Sequence, residues 1–268
     1  MEAGSLFTFS FIVAIFSWVF VLPMVKSQRW YKKLLYFYFP RFLRPITPKL
    51  KPINVFYNKL SIEERKRFDW RVFYFIDSTD IEFRHFKPTQ LINYNATRYL
   101  IASIATEMSL FLTEDCYDAF NKIIIYPDNY YSPITKQYHK GETNPSAGYI
   151  VLSWSNLQTG FADKTDGINL LMHELAHALW LENELFDYEI FDEKALQIYK
   201  AESIRVAREM QDNENHFLRR YALTNKEEFF AVAVENFFER PEKFKMTLPE
   251  LYSILARLLN QDPAALSS

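Results

Sequence analysis

Two histidines and a glutamate in the stretch 168–181 have the residue types and spacing needed to activate water on a metal ion. His173 and His177 lie four positions apart, so an α-helix would place both imidazoles on one face, where they can share one ion. Glu174 lies beside them and could take a proton from a metal-bound water. The rest of the stretch is apolar on every side, which predicts a buried helix whose polar side chains need partners. The pattern therefore predicts a metal site.

A catalytic zinc site needs a third protein ligand and one open position. A second apolar helix is predicted over 225–238, capped by Asn225 or Thr224, and its period places Glu228 and Glu235 on the same face. Two carboxylates on a buried face are costly unless they are paired or bound to metal. We therefore expect Glu228 to be the third ligand and Glu235 to orient an imidazole from behind.

Two alternatives to this ligand assignment stay open on the sequence alone. The carboxylates of the second helix could form a structural ion pair with an arginine such as Arg219. The third ligand could also be another glutamate, and the competing candidates are Glu182, Glu184 and Glu202. The other histidines are scattered in segments rich in charged or turn residues, and they are His85, His139 and His216.

The elements that must position these residues indicate an α+β fold, mostly helical with a small β-sheet. A capping-box spacing begins a predicted helix over Ser61–Phe75, and apolar periodicity predicts another over Asn95–Phe111. Strands are predicted over Lys122–Tyr126 and Tyr149–Trp154. The chain beyond them reads as helical almost to its end. The acidic residues expected to cap the histidine helix are Asp163 and Asp166.

Composition excludes several other classes of protein. The 268 residues are 49% hydrophobic and 24% charged, values of a globular chain that can bury a sizeable core. The single cysteine, Cys116, excludes a disulfide framework and a cysteine-rich zinc or iron–sulfur site. Only 5 glycines are present, which argues against a Rossmann-type design.

The N-terminal part has the character of a membrane anchor. Residues 3–25 carry no charge and are long enough, as a helix, to cross the roughly 30 Å hydrocarbon layer. Residues 1–62 contain nine basic residues and one acidic residue, whereas residues 63–268 contain 22 basic and 32 acidic residues. Because lysine and arginine favour the cytoplasmic side, we expect the N-terminus outside and the rest inside. A cleaved signal peptide is the alternative.

Three segments are therefore predicted. Residues 1–25 form a transmembrane anchor and residues 26–60 a basic, proline- and aromatic-rich linker along the anionic leaflet. Residues 61–268 form the catalytic domain. A nucleic-acid-binding arm is the weaker interpretation of the linker, and no direct nucleic-acid partner is expected.

Several motifs together resemble the Mlc titration factor A (MtfA, or DgsA anti-repressor) family of zinc peptidases, and more remotely the catalytic domain of anthrax lethal factor. The main match is His173-Glu-Leu-Ala-His177, followed by Tyr221 and by Glu228-Phe-Phe-Ala-Val. The resemblance covers roughly Ile62 to Pro241. The supporting matches are Val151-Leu-Ser-Trp154, Asp166-Gly-Ile-Asn169 and Ile101-Ala-Ser-Ile-Ala105 in the upstream helix.

The resemblance implies a zincin-like domain with one zinc ion per chain. It implies that His173, His177 and Glu228 are the zinc ligands, that Glu174 is the catalytic base, and that Tyr221 stabilises the oxyanion. It also leans to aminopeptidase-like activity. The chain departs from the family pattern after the second histidine, where Ala178-Leu-Trp-Leu-Glu-Asn replaces an acidic residue and a glycine-containing loop. Soluble members of the family also lack the anchor predicted here.

The sequence thus predicts a membrane-tethered zinc metallopeptidase that faces the cytoplasm and cleaves a peptide or protein substrate. The alternative is a regulator-binding protein that sequesters a transcriptional repressor, with a structural or vestigial zinc site. A catalytic glutamate and an oxyanion tyrosine favour the enzyme, because a structural site needs neither.

Overall fold

A computed structural model describes residue 31 and residues 47–90, 92–113, 116–132, 136–186, 188–214 and 216–267. It divides the chain into two compact units, residues 1–48 and 49–268. Among the described residues, none of the helices combines the length and the apolar character needed to cross a bilayer. The predicted anchor, residues 1–25, lies outside the described residues. The second unit begins at Lys49 and so includes residues 49–60, which the sequence analysis assigned to the linker.

The second unit contains a four-stranded sheet and a two-stranded hairpin. The sheet has the order β1-β2-β6-β5, in which β1, β2 and β6 are parallel and β5 runs antiparallel to β6 at one edge. The hairpin pairs β3 with β4. The strands are β1 (Asp80–Phe83), β2 (Lys122–Tyr126), β3 (Tyr130–Ser132), β4 (Gln137–His139), β5 (Gly141–Asn144) and β6 (Tyr149–Ser153).

Helices account for most of the remaining described residues. They are α1 (Thr47–Leu50), α2 (Val55–Lys59), α3 (Ile62–Ser78), α4 (Tyr94–Ser109), α5 (Trp154–Ala162), α6 (Leu170–Leu185), α7 (Glu193–Asp212), α8 (Lys226–Glu239), α9 (Pro241–Thr247), α10 (Pro249–Leu258) and α11 (Pro263–Ser267). A 3₁₀ turn, Arg220–Leu223, precedes α8.

The predicted α+β class is confirmed, and the predicted elements lie close to the observed ones. The capping box at Ser61 begins α3, with both reciprocal hydrogen bonds to Glu64 formed. The second predicted helix is α4, and the two predicted strands are β2 and β6. Strand β5 was not predicted, because its residues are polar and show no apolar alternation.

The core lies between α6 and its neighbours. Helix α6 packs most extensively on α8, and also on α4, α5 and strand β5. Aromatic rings pack between these helices: the ring centroids of Trp180 on α6 and Phe230 on α8 are 5.1 Å apart, and Tyr199 on α7 packs on the same Phe230 at 5.6 Å. Ring pairs at such distances bury large apolar areas in fixed relative geometry. This packing holds α6 and α8 in one register, which decides which side chains meet between them.

Candidate metal centre

Helix α6 begins one turn before the first histidine. Asn169 caps it, because the side-chain oxygen accepts the backbone N–H of Met172 at 3.2 Å. The expectation that Asp163 or Asp166 caps the helix is wrong. Each aspartate accepts a backbone N–H two residues further on, at 2.8 Å in both cases. Both carboxylates are therefore used in local turns before the helix starts.

Three predicted ligand residues meet between α6 and α8. One ligand atom each from His173, His177 and Glu228 lies within 4.8 Å of the other two. The Nε2 atoms of the two histidines are 3.2 Å apart, and Oε2 of Glu228 lies 2.9 Å from the first and 3.4 Å from the second. Two imidazoles and one carboxylate are a common protein ligand set of catalytic zinc.

Glu228 reaches this point from the first turn of α8. Asn225 caps that helix by accepting the backbone N–H of Glu228 at 2.7 Å. Oε2 of Glu228 is shielded from solvent and accepts no directed hydrogen bond among the described residues, although two imidazole nitrogens lie beside it. A buried carboxylate oxygen that faces two ring nitrogens and has no directed hydrogen bond has the environment of a metal ligand. The residues present therefore fit a bound divalent ion.

The far side of the first imidazole contacts Glu235, which lies two turns after Glu228 on the same face of α8. Oε1 of Glu235 lies 2.7 Å from Nδ1 of His173 and accepts from Arg219 at 2.6 Å. Oε2 accepts the backbone N–H of Asn169 at 2.7 Å and a second Arg219 N–H at 3.1 Å. A proton on Nδ1 leaves the lone pair of Nε2 free to face the ligand cluster. The two interpretations of Glu235, as a histidine partner and as an ion pair with arginine, therefore both apply.

The electrostatics of the cluster favour a cation between the imidazoles and the carboxylate. Burial lowers the pKa of His173, but the carboxylates of Glu228 and Glu235 outweigh burial and raise it to about 10. Burial raises the pKa of Glu228, but the imidazoles of His173 and His177 outweigh burial and hold it well below its usual range. Both shifts express one attraction, which a metal cation and a proton compete to satisfy.

Glu174 lies beside the cluster and is 5% exposed. Burial raises the pKa of its carboxyl group, against the opposing effect of the two imidazoles. Its Oε2 atom accepts a hydrogen bond from the hydroxyl of Thr143 at 2.9 Å. A buried carboxyl with a raised pKa, adjacent to a metal-binding group, has the properties of a general base.

Tyr221 lies on the open side of the same cluster. Its hydroxyl donates to Oε1 of Glu228 at 3.1 Å, and its ring centroid is 5.9 Å from that of His173. The side chain is 49% exposed, and its partial burial and the charge of Glu228 raise the pKa to about 12. The phenol therefore remains protonated at neutral pH and can donate a hydrogen bond.

The competing third ligands are occupied elsewhere. Glu182 is fully buried and accepts the backbone N–H groups of Tyr117 at 2.6 Å and Ala119 at 2.8 Å. Glu184 pairs with two lysines and Glu202 with an arginine. Three further histidines lie outside the one metal-ligand group found in the described part of the chain, and they are His85, His139 and His216.

A cavity of about 650 Å³ opens onto the cluster. Its wall includes His173, Glu174 and Tyr221, together with Tyr138 and Lys140 from the hairpin end and the following turn. Neither Thr143 nor its strand β5 was predicted from the sequence to lie in this region. The sequence of this short polar strand carries no periodic pattern, because the strand joins the sheet only through pairing with residues distant in the chain.

Two imidazoles and one carboxylate, next to the buried carboxyl group of Glu174, define a site suited to metal-dependent hydrolysis. The chain belongs to the family described as glucose-regulated metallo-peptidase M90, whose sequence profile matches residues 38–259. The resemblance to the MtfA family drawn from the motifs is thereby confirmed.

Similar proteins occur in several bacteria. An uncharacterized protein of Synechocystis sp. is 24% identical over 247 residues, which cover 83% of this chain and 87% of that protein. The Mlc titration factor A of Serratia proteamaculans is 30% identical over 175 residues, 58% of this chain and 65% of its own length. The Mlc titration factor A of Yersinia pestis is 29% identical over 168 residues, 55% of this chain and 61% of its own length. This chain thus spans less than two thirds of either titration factor.

Proposed function

We propose that this chain is a zinc-dependent peptidase in which His173, His177 and Glu228 hold one zinc ion and Glu174 is the general base. The observation that carries the proposal is the convergence of three ligand atoms within 4.8 Å of one another, beside the buried carboxyl of Glu174. Membership of a metallopeptidase family supports the reaction class.

Each residue of the cluster has a distinct role in this proposal. Bound zinc would polarise the scissile carbonyl and lower the pKa of a water in its open position towards neutrality. Glu174 takes a proton from the attacking water and later delivers it to the nitrogen of the leaving amine. Tyr221 donates a hydrogen bond to the carbonyl oxygen as negative charge develops there. Glu235 keeps His173 in the tautomer whose Nε2 lone pair faces the ligands.

The substrate proposed is a peptide, with aminopeptidase-like cleavage suggested by the family resemblance. We further propose that residues 1–25 tether the enzyme to a membrane with the catalytic domain on the cytoplasmic side. The uncharged run over 3–25 and the basic residues that follow it support this arrangement.

Metal content and peptide hydrolysis of the purified full-length chain test the proposal. We expect one zinc per chain in the parent, its loss in His173→Ala and Glu228→Ala, and its retention in Glu174→Gln with hydrolysis abolished. Glu184→Gln is the matched control, because this α6 glutamate pairs with surface lysines and should leave zinc and hydrolysis unchanged. No stoichiometric zinc in the parent, or normal hydrolysis by Glu174→Gln, would refute the proposed enzyme.

A second candidate function is binding of a transcriptional repressor, favoured by relatives that carry the name Mlc titration factor A. In this alternative the acidic surface of residues 63–268 would bind the partner. The test is calorimetry of the full-length chain with a purified Mlc repressor. Binding that persists in Glu174→Gln would establish a role independent of hydrolysis, whereas no binding by the parent would remove this candidate.

A further inference from the structure

We propose that two residues of the edge strand β5, Thr143 and Gly141, are positioning residues for the general base Glu174. This inference rests on the proposed function, in which Glu174 handles the proton of the attacking water. Strand β5 pairs with β6 so that Gly141 lies opposite Leu152 and Thr143 opposite Ile150. The side-chain positions of residues 141 and 143 therefore share one face of the strand, the face directed at α6.

Thr143 holds one oxygen of the base. Its hydroxyl lies 2.9 Å from Oε2 of Glu174 and 3.0 Å from the backbone carbonyl oxygen of the same residue. A hydroxyl has one proton and two lone pairs. It can donate to the ionised carboxylate, and it can instead donate to the carbonyl while accepting a hydrogen bond from the protonated carboxyl. One side chain thus serves both forms through which Glu174 passes during the proposed reaction.

Gly141 makes room for the other oxygen. A Cβ atom at this position would lie 2.4 Å from Oε1 and 2.8 Å from Cδ of Glu174, and 2.8 Å from Cδ1 of Leu170. Carbon atoms do not approach oxygen or carbon that closely, so any side chain at residue 141 would displace the carboxyl group or the start of α6. The absence of a side chain at residue 141 is therefore required for the observed position of Glu174.

The two contacts together confine the carboxyl group from two sides. One oxygen is held by a hydrogen bond and the other is packed against bare backbone. A base that must take a proton from water and deliver it to a leaving nitrogen gains from a fixed position, because small displacements of a reacting group lower the rate strongly. Within the described part of the chain, neither residue forms a hydrogen bond with the three predicted ligands, so their effect should fall on turnover and not on metal binding.

Steady-state kinetics and zinc content of full-length variants provide the first test. In Thr143→Val, which keeps the shape but removes the hydroxyl, we expect kcat to fall about ten- to hundredfold, as for loss of a hydrogen bond to a charged group. KM and zinc content should stay within about twofold of the parent. Thr143→Ser should restore most of kcat. The matched control is Thr247→Val, because the Thr247 hydroxyl donates to the carbonyl of Lys243 and lies outside the cavity at the cluster.

Crystal structures of the variants provide a readout that does not depend on activity. We expect the Glu174 carboxyl group to leave its position in Thr143→Val and Gly141→Ala, and to keep it in Thr143→Ser. The inference is overturned if the carboxyl group stays in place in both of the first two variants. Equal loss of kcat in Thr143→Val and Thr143→Ser would also overturn the inference, because serine keeps the hydroxyl group and valine does not. A parent without hydrolysis would defeat the proposed function, whereas the crystal structures would still decide whether β5 positions Glu174.

Discussion

Replacement of Glu235 by glutamine isolates the contribution of the carboxylate behind the proposed metal ligand His173. Glu235 is 1% exposed and accepts four hydrogen bonds, two at each oxygen. Glutamine has nearly the same shape, but one of its two terminal atoms is a donor. The substitution therefore changes charge and hydrogen bonding while it leaves the packing of α6 and α8 almost unaltered.

Either orientation of the new amide disturbs the site. If the NH₂ group faces Nδ1 of His173, that nitrogen must accept, and its proton moves to Nε2, where it blocks the metal. If the oxygen faces His173 instead, the NH₂ group meets the N–H of Asn169 and an N–H of Arg219, which are also donors. In both orientations Arg219 loses its carboxylate partner. Loss of such an outer partner commonly weakens metal binding by 10- to 100-fold.

The expected result is a 10- to 100-fold rise in the zinc Kd, equivalent to about 1.4–2.8 kcal/mol. Competition against a chelator of known affinity at fixed pH measures it. Glu202→Gln is a suitable control, because Glu202 pairs with Arg205 within α7 and is not part of the ligand cluster. A double-mutant cycle with Arg219→Gln measures the coupling free energy between Glu235 and Arg219 in zinc binding. A Kd within twofold of the parent would refute the reasoning that Glu235 controls the histidine tautomer.

Three further predictions concern Tyr221, the proposed oxyanion residue, the partly buried carboxyl group of Glu107 and the fully buried carboxyl group of Glu182. Tyr221→Phe should lower kcat by about 100-fold or more, because the phenol is proposed to donate a hydrogen bond to the developing negative charge. The side chain is 49% exposed, so the melting temperature should stay unchanged, and an unchanged kcat would remove Tyr221 from the mechanism. Burial raises the pKa of Glu107 from 4.5 to about 7, so its folded form retains the proton longer and its contribution to stability is lost as pH rises from about 4.5 to 7. Glu107→Gln should therefore raise the free energy of unfolding at pH 8, by at most about 3 kcal/mol, and have little effect at pH 4; denaturant titration at both pH values measures this, and equal effects would contradict it. Glu182→Gln should lower the free energy of unfolding by about 1–3 kcal/mol through its two backbone contacts without changing zinc content, and loss of zinc would return Glu182 to the ligand candidates.

The sequence was informative where chemistry and helical period coincide. His173 and His177 are four residues apart, and Glu228 and Glu235 are seven apart, so one helical repeat predicts which side chains share a face. The same apolar surroundings that identify these helices also require their polar groups to find partners. The structure brings these groups together between α6 and α8.

The sequence was uninformative where position depends on distant backbone. Residues Gly141–Asn144 have neither alternation nor β-branched runs beyond one threonine, and they form a strand only because β6 offers an edge. The start of α6 also escaped prediction. Asp166 and Asn169 are both good caps by type, and the choice between them depends on the turn at Gly167, whose φ is +76°. Local composition does not rank two such candidates three residues apart.

The contacts that support the proposed metal ligand His173 also support Tyr221, the proposed oxyanion residue. Arg219 binds Glu235 and donates to the carbonyl oxygen of Gly167 at 2.9 Å. It lies two residues before Tyr221, at the entrance to the 3₁₀ turn that carries the phenol. The ion pair behind His173 therefore also fixes the backbone that presents Tyr221 to the cavity. Because a buried carboxylate without its partner is strongly unfavourable, the position of Tyr221 depends on the same ion pair that is proposed to keep His173 in the tautomer whose Nε2 lone pair faces the ligand cluster.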